Sequence, residues 1–307
     1  MLENYIEYLN NCTCCPRCCG VNRVMGETGY CGIDSKVQIS YAGLHHGEEP
    51  PISGSSGSGT IFFVGCNLRC VFCQNYQISQ EFNQHTIQYL TLAQLADTMM
   101  HLQSMGAHNI NFVSPSHMVY QMADAISLAR DRGLTIPIVY NSNGYDSIQV
   151  LRNINGLVDI YMPDIKYMDN EMAQKYSDAR NYANMVPDVL KEMYEQVGNL
   201  TIDNNGVASK GLLVRHLVLP NHMENSKLCL DVLKNISLEM YISLMSQYSP
   251  QYKAYDYPLI SRKLGRKEYK EVMDYALDLG LSHVFIQELY SQDSYLPRFD
   301  REKPFEE

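Results

Sequence analysis

Thr60 to Asn75 reads TIFFVGCNLRCVFCQN, an apolar run of strand length, then a glycine, then a loop with Cys66, Cys70 and Cys73 spaced CxxxCxxC. Three thiolates can hold three irons of a cubane and leave the fourth iron open to an outside ligand, unlike the four-cysteine site of an electron carrier. An open iron means chemistry at the cluster. The same cysteines would make a zinc site if a fourth ligand joined them. His45, His46, His85 and His117 are available for that, but no spacing selects one of them, and the strand-then-loop context favours the cluster.

Working outward from this stretch, short apolar runs alternate with amphipathic ones, the pattern of βα units around a parallel sheet. Strands are expected at Thr60–Gly65, Asn109–Val113, Ile136–Asn141, Leu157–Met162, Gly211–Leu219, Met240–Met245 and Val284–Gln287. Helices are expected at Leu92–Met105, Met118–Arg130, Tyr145–Asn153, Val186–Val197, Glu224–Asn235 and Arg266–Leu279. Right-handed crossovers would curl this α/β series into a partial (β/α)6-type TIM barrel, with function on the loops at the strand C-terminal ends. Asp203 to Gly206 marks a small hairpin before the long Gly211 strand.

Residues 1–59 differ in kind, being rich in Cys, Gly and Pro, and they read as a Cys-rich N-terminal cap or metal-binding extension of the barrel at 60–290. SGSSGSG at Ser53–Gly59 has the composition of a flexible linker, and a tight glycine approach to the first strand is the other reading. In the tail at 291–307 and just before it, Tyr290, Tyr295 and Phe299 offer themselves as lid residues or as surface packing.

With 307 residues, 45% of them hydrophobic, the chain can bury a sizeable core. A net charge of -10 with scattered Lys and Arg argues against nucleic acid as a partner. No window has the apolar length to span a bilayer and the N-terminus lacks a signal pattern, so a cytoplasmic protein without a membrane partner is expected. Ten cysteines in a reducing compartment point to metal or redox chemistry rather than disulfides. Six lie between Cys12 and Cys31, three in the Cys66 loop, and Cys229 stands alone in an apolar run as a buried thiol.

Phe72 completes a CxxxCxΦC pattern that resembles the signature of the radical S-adenosylmethionine superfamily. CPRCCGVNRVMGETGYCG (Cys15–Gly32), ISGSSGSGTIFFVGCNLRCVFCQNYQIS (Ile52–Ser79), DIYMPDIKYMD (Asp159–Asp169) and LVRHLVLP (Leu213–Pro220) are similar to its pyruvate formate-lyase activating-enzyme-like branch. The resemblance implies a [4Fe-4S] cluster on Cys66, Cys70 and Cys73 whose open iron is chelated by S-adenosylmethionine. It implies reductive cleavage to a 5′-deoxyadenosyl radical that abstracts hydrogen, an electron donor such as flavodoxin or ferredoxin, and a protein, peptide or small-molecule substrate. A glycyl-radical activase is the narrowest form of that reading. The rival is a non-catalytic iron-sulfur or zinc protein serving electron transfer or interaction, which would have no use for a cofactor cradle around the cluster.

Within the resemblance, Phe72 falls near the adenine, and Ser114, Pro115 and Ser116 stand where the superfamily carries the run that meets the methionine amino group. Asn141, Ser142 and Asn143 in YNSNGYD suit ribose hydroxyls or a cation, and otherwise make an Asn-Gly turn. Asp164 and Lys166 share a face by strand periodicity. The branch places a monovalent-cation site at the positions of Asn141, Ser142, Met162 and Asp164, although Asn141 replaces an acidic residue there. Arg215 interrupts an apolar strand and needs an anion, either the methionine carboxylate or an internal acid such as Asp164. Cys12, Cys15, Cys19 and Cys31 reproduce the branch's CxxC, PRxC and GYCG arrangement and imply a second metal site, with zinc favoured by the CxxC knuckle and an iron-sulfur relay as the alternative.

Overall fold

The computed structural model of the chain describes residues 5–82, 87–289, 296–301 and 303–305. Its strands are β1 (Val37–His45), β2 (Ser58–Phe63), β3 (Gln88–Leu90), β4 (Ile110–Val113), β5 (Ile138–Asn141), β6 (Ile160–Tyr161), β7 (Thr201–Ile202), β8 (Ala208–Leu217), β9 (Tyr241–Met245) and β10 (His283–Ile286). Its helices are α1 (Ile6–Asn10), α2 (Pro50–Ser53), α3 (Tyr76–Ser79), α4 (Leu92–Ser104), α5 (Val119–Asp131), α6 (Ile148–Asn153), α7 (Asn170–Ser177), α8 (Tyr182–Val197), α9 (Met223–Ile236) and α10 (Arg266–Asp278).

All the strands join one sheet in the order β10-β9-β8-β6-β5-β4-β2-β1-β3, with β7 paired to β8 as the expected hairpin. From β2 to β10 every pairing on that path is parallel. One or two helices link each parallel strand to the next, and β3 and β10 end the path unjoined, so the barrel is partial. The sequence-derived strands and helices match this series to within a few residues. A parallel strand is covered on both faces and reads as a continuous apolar run, which is why periodicity located each of them.

Strand alternation divides the side chains into two populations. Ile61, Phe63, Phe112, Tyr140, Val214, Ile242 and Leu244 enter the main core under the helices. Their neighbours face the barrel interior, where Val139, Ile160, Met162 and Leu213 pack on Ile52 of α2 to form an apolar floor. Above that floor, Phe62, Val113, Asn141, Arg215, Leu217 and Met245 line a cavity that reaches the strand C-terminal ends. The interior is therefore sealed below and open above.

Several expectations are corrected. Ser53–Gly59 is no flexible linker: Ser58 and Gly59 open β2, Gly59 donates to Asn109 O at 3.0 Å, and a Cβ on Gly59 would stand 2.8 Å from that oxygen. The composition of a linker here serves a close backbone approach. The stretch 1–59, set apart by composition, contributes β1 to the same sheet, antiparallel to β2 from Ile39↔Phe63 to His45↔Ser58. Helix α8 begins four residues ahead of the expected Val186, because Tyr182, Ala183 and Val186 are buried and Pro187 sits inside the helix rather than at its start. Helix α6 begins at Ile148 rather than Tyr145, since Asp146 is held in the preceding turn by Ser142 and Tyr140. Helix α7, capped by Asp169, had no counterpart in the sequence reading. Tyr290 and Tyr295 lie outside the described residues, as does His85, while Phe299 is fully buried with its ring 5.3 Å from that of Phe62.

Gly144, after β5, takes φ +76°, and a Cβ there would collide with the Asp164 carbonyl oxygen beyond β6. The two loops that face the cavity are held together by that absence of a side chain. Gly144→Ala is expected to reduce the unfolding free energy by about 2–4 kcal/mol, combining left-handed strain with a backbone clash. Urea denaturation measures this, and a variant as stable as the parent chain would show that the approach is not required.

Candidate functional site

The cavity has a volume of about 240 Å³ and gathers the loops after β2, β4, β5 and β6 together with β8. Cys66, Cys70 and Cys73 line it, with Phe72, Ser114, Asn141, Ser142, Asn143, Asp164, Lys166 and Arg215. A larger concavity of about 410 Å³ lies against α7, lined by Asn170, Glu171, Gln174, Lys175 and Arg180. It holds no thiol and lies in an open surface groove, so the chemistry concentrates in the barrel cavity.

Each cavity thiol has a polar neighbour. Leu68 N donates to Cys66 Sγ at 3.4 Å and Asn143 Nδ2 at 3.5 Å, Ser177 Oγ donates to Cys70 Sγ at 3.0 Å, and Ser79 Oγ lies 3.3 Å from Cys73 Sγ. Burial pushes the Cys66 thiol up to about 11 and the Cys73 thiol up to about 12, and Cys70 upward as well. Such thiols stay protonated alone and ionise on binding a metal. Among the described residues no three His, Cys, Asp or Glu side chains converge on a point that one ion could fill. A cubane does not need such convergence, because each iron takes its own thiolate. Three thiols on one cavity, each beside a hydrogen-bond donor, fit a three-cysteine cluster better than a lone zinc.

The loop that carries them is fixed from two sides. Asn143 Nδ2 donates to Asn67 Oδ1 at 2.7 Å and Asn67 Nδ2 to Tyr145 O at 2.6 Å, so the YNSNGYD turn clasps the cysteine loop. On the outer side Arg17 Nε donates to Asn67 O at 2.8 Å and lies 3.7 Å from the centre of the Tyr30 ring. Arg69 donates to Tyr30 O and Cys66 O while its guanidinium also lies over Tyr30.

Opposite the thiols, Asp164 stands between two cations. Lys166 Nζ meets Oδ2 at 2.6 Å and Arg215 Nε meets Oδ1 at 3.0 Å. Burial alone would raise the Asp164 carboxyl; Lys166 and Arg215 hold it below its ordinary range. Arg215 Nη2 also donates to Asn141 Oδ1 at 2.6 Å, and Nη1 lies 3.5 Å from Glu48 Oε2. Arg215 pairs here with Asp164, one of the two anions foreseen for it. Burial raises the Glu48 carboxyl above its ordinary range even with Arg215 and Asn111 beside it.

Other predicted positions behave differently. Pro115 and Ser116 are buried and absent from the cavity lining, while Ser114 lines it with φ +56°, a left-handed conformation unusual for serine. Ser142 lines the cavity, and its Oγ donates to Asp146 Oδ2 at 2.6 Å. Met162 packs in the apolar floor. At the positions named for a monovalent cation, Asn141 Oδ1 accepts from Arg215, Asp164 pairs with Arg215 and Lys166, Ser142 Oγ donates to Asp146, and the Met162 side chain packs in the apolar floor. His117 is a buried core histidine, with Nε2 2.7 Å from Val64 O and Nδ1 buried without a hydrogen-bond partner among the described residues. Phe72 meets Tyr248 edge to face at 5.8 Å, which keeps its ring at the cavity wall.

Two residues escaped the sequence reading. Tyr182, fully buried on α8, donates to Asn143 O at 2.8 Å and Asp164 O at 2.9 Å, and accepts from Lys166 N at 3.1 Å. Glu48 enters from the far end of β1 to face Arg215. A tyrosine in an amphipathic run and a glutamate in a glycine-rich stretch carry no local signal for these partners.

His216, beside Arg215, points to the helix side, with Nδ1 2.7 Å from Ile165 O and Nε2 2.8 Å from Ser226 Oγ. The carbonyl fixes the proton on Nδ1 and leaves Nε2 to accept from the serine. Burial pushes its pKa down to about 4. The folded value lies below the unfolded one, so the neutral ring's contribution is present above about pH 6.5 and is lost as pH falls from there towards 4. Between pH 7 and pH 5 this histidine is expected to cost roughly 2 kcal/mol of unfolding free energy. Urea titrations at both pH values test this: His216→Gln should flatten the slope by about that amount, and an unchanged slope would contradict the assignment.

The radical SAM superfamily profile matches residues 60–222, more than half of the chain. An uncharacterised protein of Methanocaldococcus jannaschii is 33% identical over 283 residues, covering 90% of this chain and 77% of that protein. Among solved structures, Streptococcus suis SuiB bound to S-adenosylmethionine aligns with a TM-score of 0.52 at 13% identity, over 75% of this chain and 50% of that one. A domain of the pyruvate-formate lyase-activating enzyme from Bacteroides vulgatus gives a TM-score of 0.41 at 12% identity, over 56% of this chain and 92% of that one, too distant to bear on function. No helix among the described residues is long and apolar enough to cross a membrane. The fold, the three-cysteine loop and the profile match agree: the chain belongs to the radical SAM superfamily.

Proposed function

We propose that Cys66, Cys70 and Cys73 hold a [4Fe-4S] cluster and that the chain uses it to cleave S-adenosylmethionine for hydrogen abstraction from a polypeptide. The observation that carries this is the meeting of three thiols and the Lys166–Asp164–Arg215 group on one cavity. A carrier of electrons alone has no use for charged groups buried opposite its cluster. When bound, the cluster and S-adenosylmethionine together supply a 5′-deoxyadenosyl radical; the chain's residues bind, orient and exclude water.

Cys70, which accepts from the Ser177 hydroxyl, lines the same cavity as Lys166. Lys166 and Asp164 offer opposite charges for an amino acid moiety, and Asn143 offers an amide beside Cys66. Arg215 donates to Asp164 and Asn141 and so sets the position of both at the cavity. Phe62, Phe72, Leu217, Met245, Pro297 and Phe305 give the cavity an apolar wall suited to a backbone segment or side chain. SuiB, which shares the fold, is known with a precursor peptide bound. The activating-enzyme resemblance points to a glycine α-carbon in a protein as the narrowest form of the substrate, with flavodoxin or ferredoxin as electron donor.

Anaerobically reconstituted chain with a strong one-electron reductant is expected to form 5′-deoxyadenosine and methionine from S-adenosylmethionine. Cys70→Ala should abolish both the cluster absorbance and the product, and product at the parent level would sink the assignment. Arg215→Ala should leave Asp164 and Glu48 short of a cation and cost about 3–5 kcal/mol of stability. Loss of cofactor affinity in calorimetry without loss of stability would instead mark Arg215 as a direct cofactor ligand.

A further inference from the structure

The apolar wall of the cavity has two origins. Phe62 of β2, Leu217 of β8, Met245 of β9 and Phe72 of the cysteine loop belong to the barrel itself. Pro297 and Phe305 come from a C-terminal segment without helix or strand that lies against the β1–β2 side. Phe299 fixes that segment: it is fully buried, packs edge to face on Phe62, and donates its N–H to Gln77 Oε1 at 2.9 Å.

Phe305 is held differently. It is half-buried, and its ring centre lies 4.2 Å from that of His45, 5.4 Å from Phe62, 5.8 Å from Tyr41 and 6.1 Å from Phe299. Such separations suit aromatic pairs. Burial pushes the His45 imidazole down to about 4, so it meets Phe305 as a neutral ring. Among the described residues Phe305 makes no hydrogen bond. A phenyl group thus rests among four rings, by packing alone, on the wall of the cavity that the three thiols line. A cavity of about 240 Å³ leaves little room between a group on this wall and one held by Asn143, Asp164 and Lys166.

We infer that Tyr41, His45, Phe62 and Phe299 form a seat for an aromatic side chain of the polypeptide substrate, and that Phe305 occupies it as a displaceable stand-in. The substrate is then a polypeptide with a phenylalanine or tyrosine close to the residue that meets the radical. Displacing Phe305 breaks no strand pairing and leaves the Phe299 anchor in place. The incoming ring regains the contacts that Phe305 gives up. Because Phe305 is tethered, it competes at an effective concentration of about millimolar, which a polypeptide with further contacts overcomes and a free amino acid does not. The inference rests on the reading of a polypeptide substrate, but the binding test below needs no cleavage of S-adenosylmethionine.

The probe is a capped peptide with the sequence Lys303–Glu307, titrated by calorimetry into the full chain and into the full-length Phe305→Ala variant. The variant is expected to bind it about 10-fold or more tightly than the parent chain, whose own Phe305 competes for the seat. A peptide with alanine in place of the phenylalanine should not bind. Tyr41→Ala added to Phe305→Ala should weaken binding by about 2- to 10-fold. Equal affinity of parent and variant, or no binding to a variant that keeps its circular dichroism, would overturn the seat. If Phe305→Ala does not fold, Phe305→Leu carries the same comparison with an apolar side chain retained. In the anaerobically reconstituted variant, saturating peptide should change the rate of 5′-deoxyadenosine formation, and an unchanged rate would separate the seat from the substrate. Peptide binding as expected with no 5′-deoxyadenosine from either chain would count against the proposed reaction and for the seat.

Discussion

Asp164 sits in the mouth of the open barrel with a cation on either oxygen, and the functional end of the molecule is arranged around that buried charge. A carboxylate taken from water must be compensated by groups of fixed geometry. Lys166 supplies one from two residues along the same segment; Arg215 supplies the other from β8 and in turn needs Asn141 and Glu48. The Asp164–Arg215 bridge also extends the pairing of β6, only two residues long, to β8. Gly144 and Tyr182 then lock the β5 loop onto the same point. Removing one member leaves the others buried without partners, which explains why the group is assembled from four strands rather than left to one.

An open barrel has an exposed interior and unpaired edges, and the chain deals with each differently. The floor is filled from outside the βα series by Ile52. The β2 edge is covered by β1 and β3, both antiparallel. The apolar wall near Phe62 receives Phe299 and Phe305 from the C-terminal segment, with Phe305 also 4.2 Å from His45. Among the described residues, the cavity these additions border is lined by the three thiols at the strand C-terminal end. The cysteine-rich N-terminal region completes the enclosure on the outer side of the reaction loop through Arg17, Tyr30 and Arg69. It is a wall of the site as well as a carrier of cysteines.

Much of this was legible in the sequence for physical reasons. Parallel strands must be apolar on both faces, so they stand out as runs, and CxxxCxxC after such a run is a chemical statement whatever the fold around it. Asp164 and Lys166 were placed on one face by a period of two, and they do meet. Arg215 was marked as a charge that needed an anion, and Asp164, one of its two candidates, does meet it.

What only tertiary structure decided are the pairings across distance. Glu48 meets Arg215 over 167 positions, Arg23 reaches His117 over 94, and Ser177 finds Cys70 over 107. Such contacts follow from which strands lie side by side, and no local period encodes that order. The tyrosine that ties the site together, Tyr182, looks in the sequence like any apolar residue of an amphipathic helix, because its ring is buried for packing and only its hydroxyl serves the site. The glycine run before β2 resembles a linker in composition, since chain flexibility and close backbone approach both call for a residue without a side chain. The sequence by itself determined the βα series, the thiol loop and the charges that required partners; the fold chose the partners, because only the fold brings them within hydrogen-bonding reach.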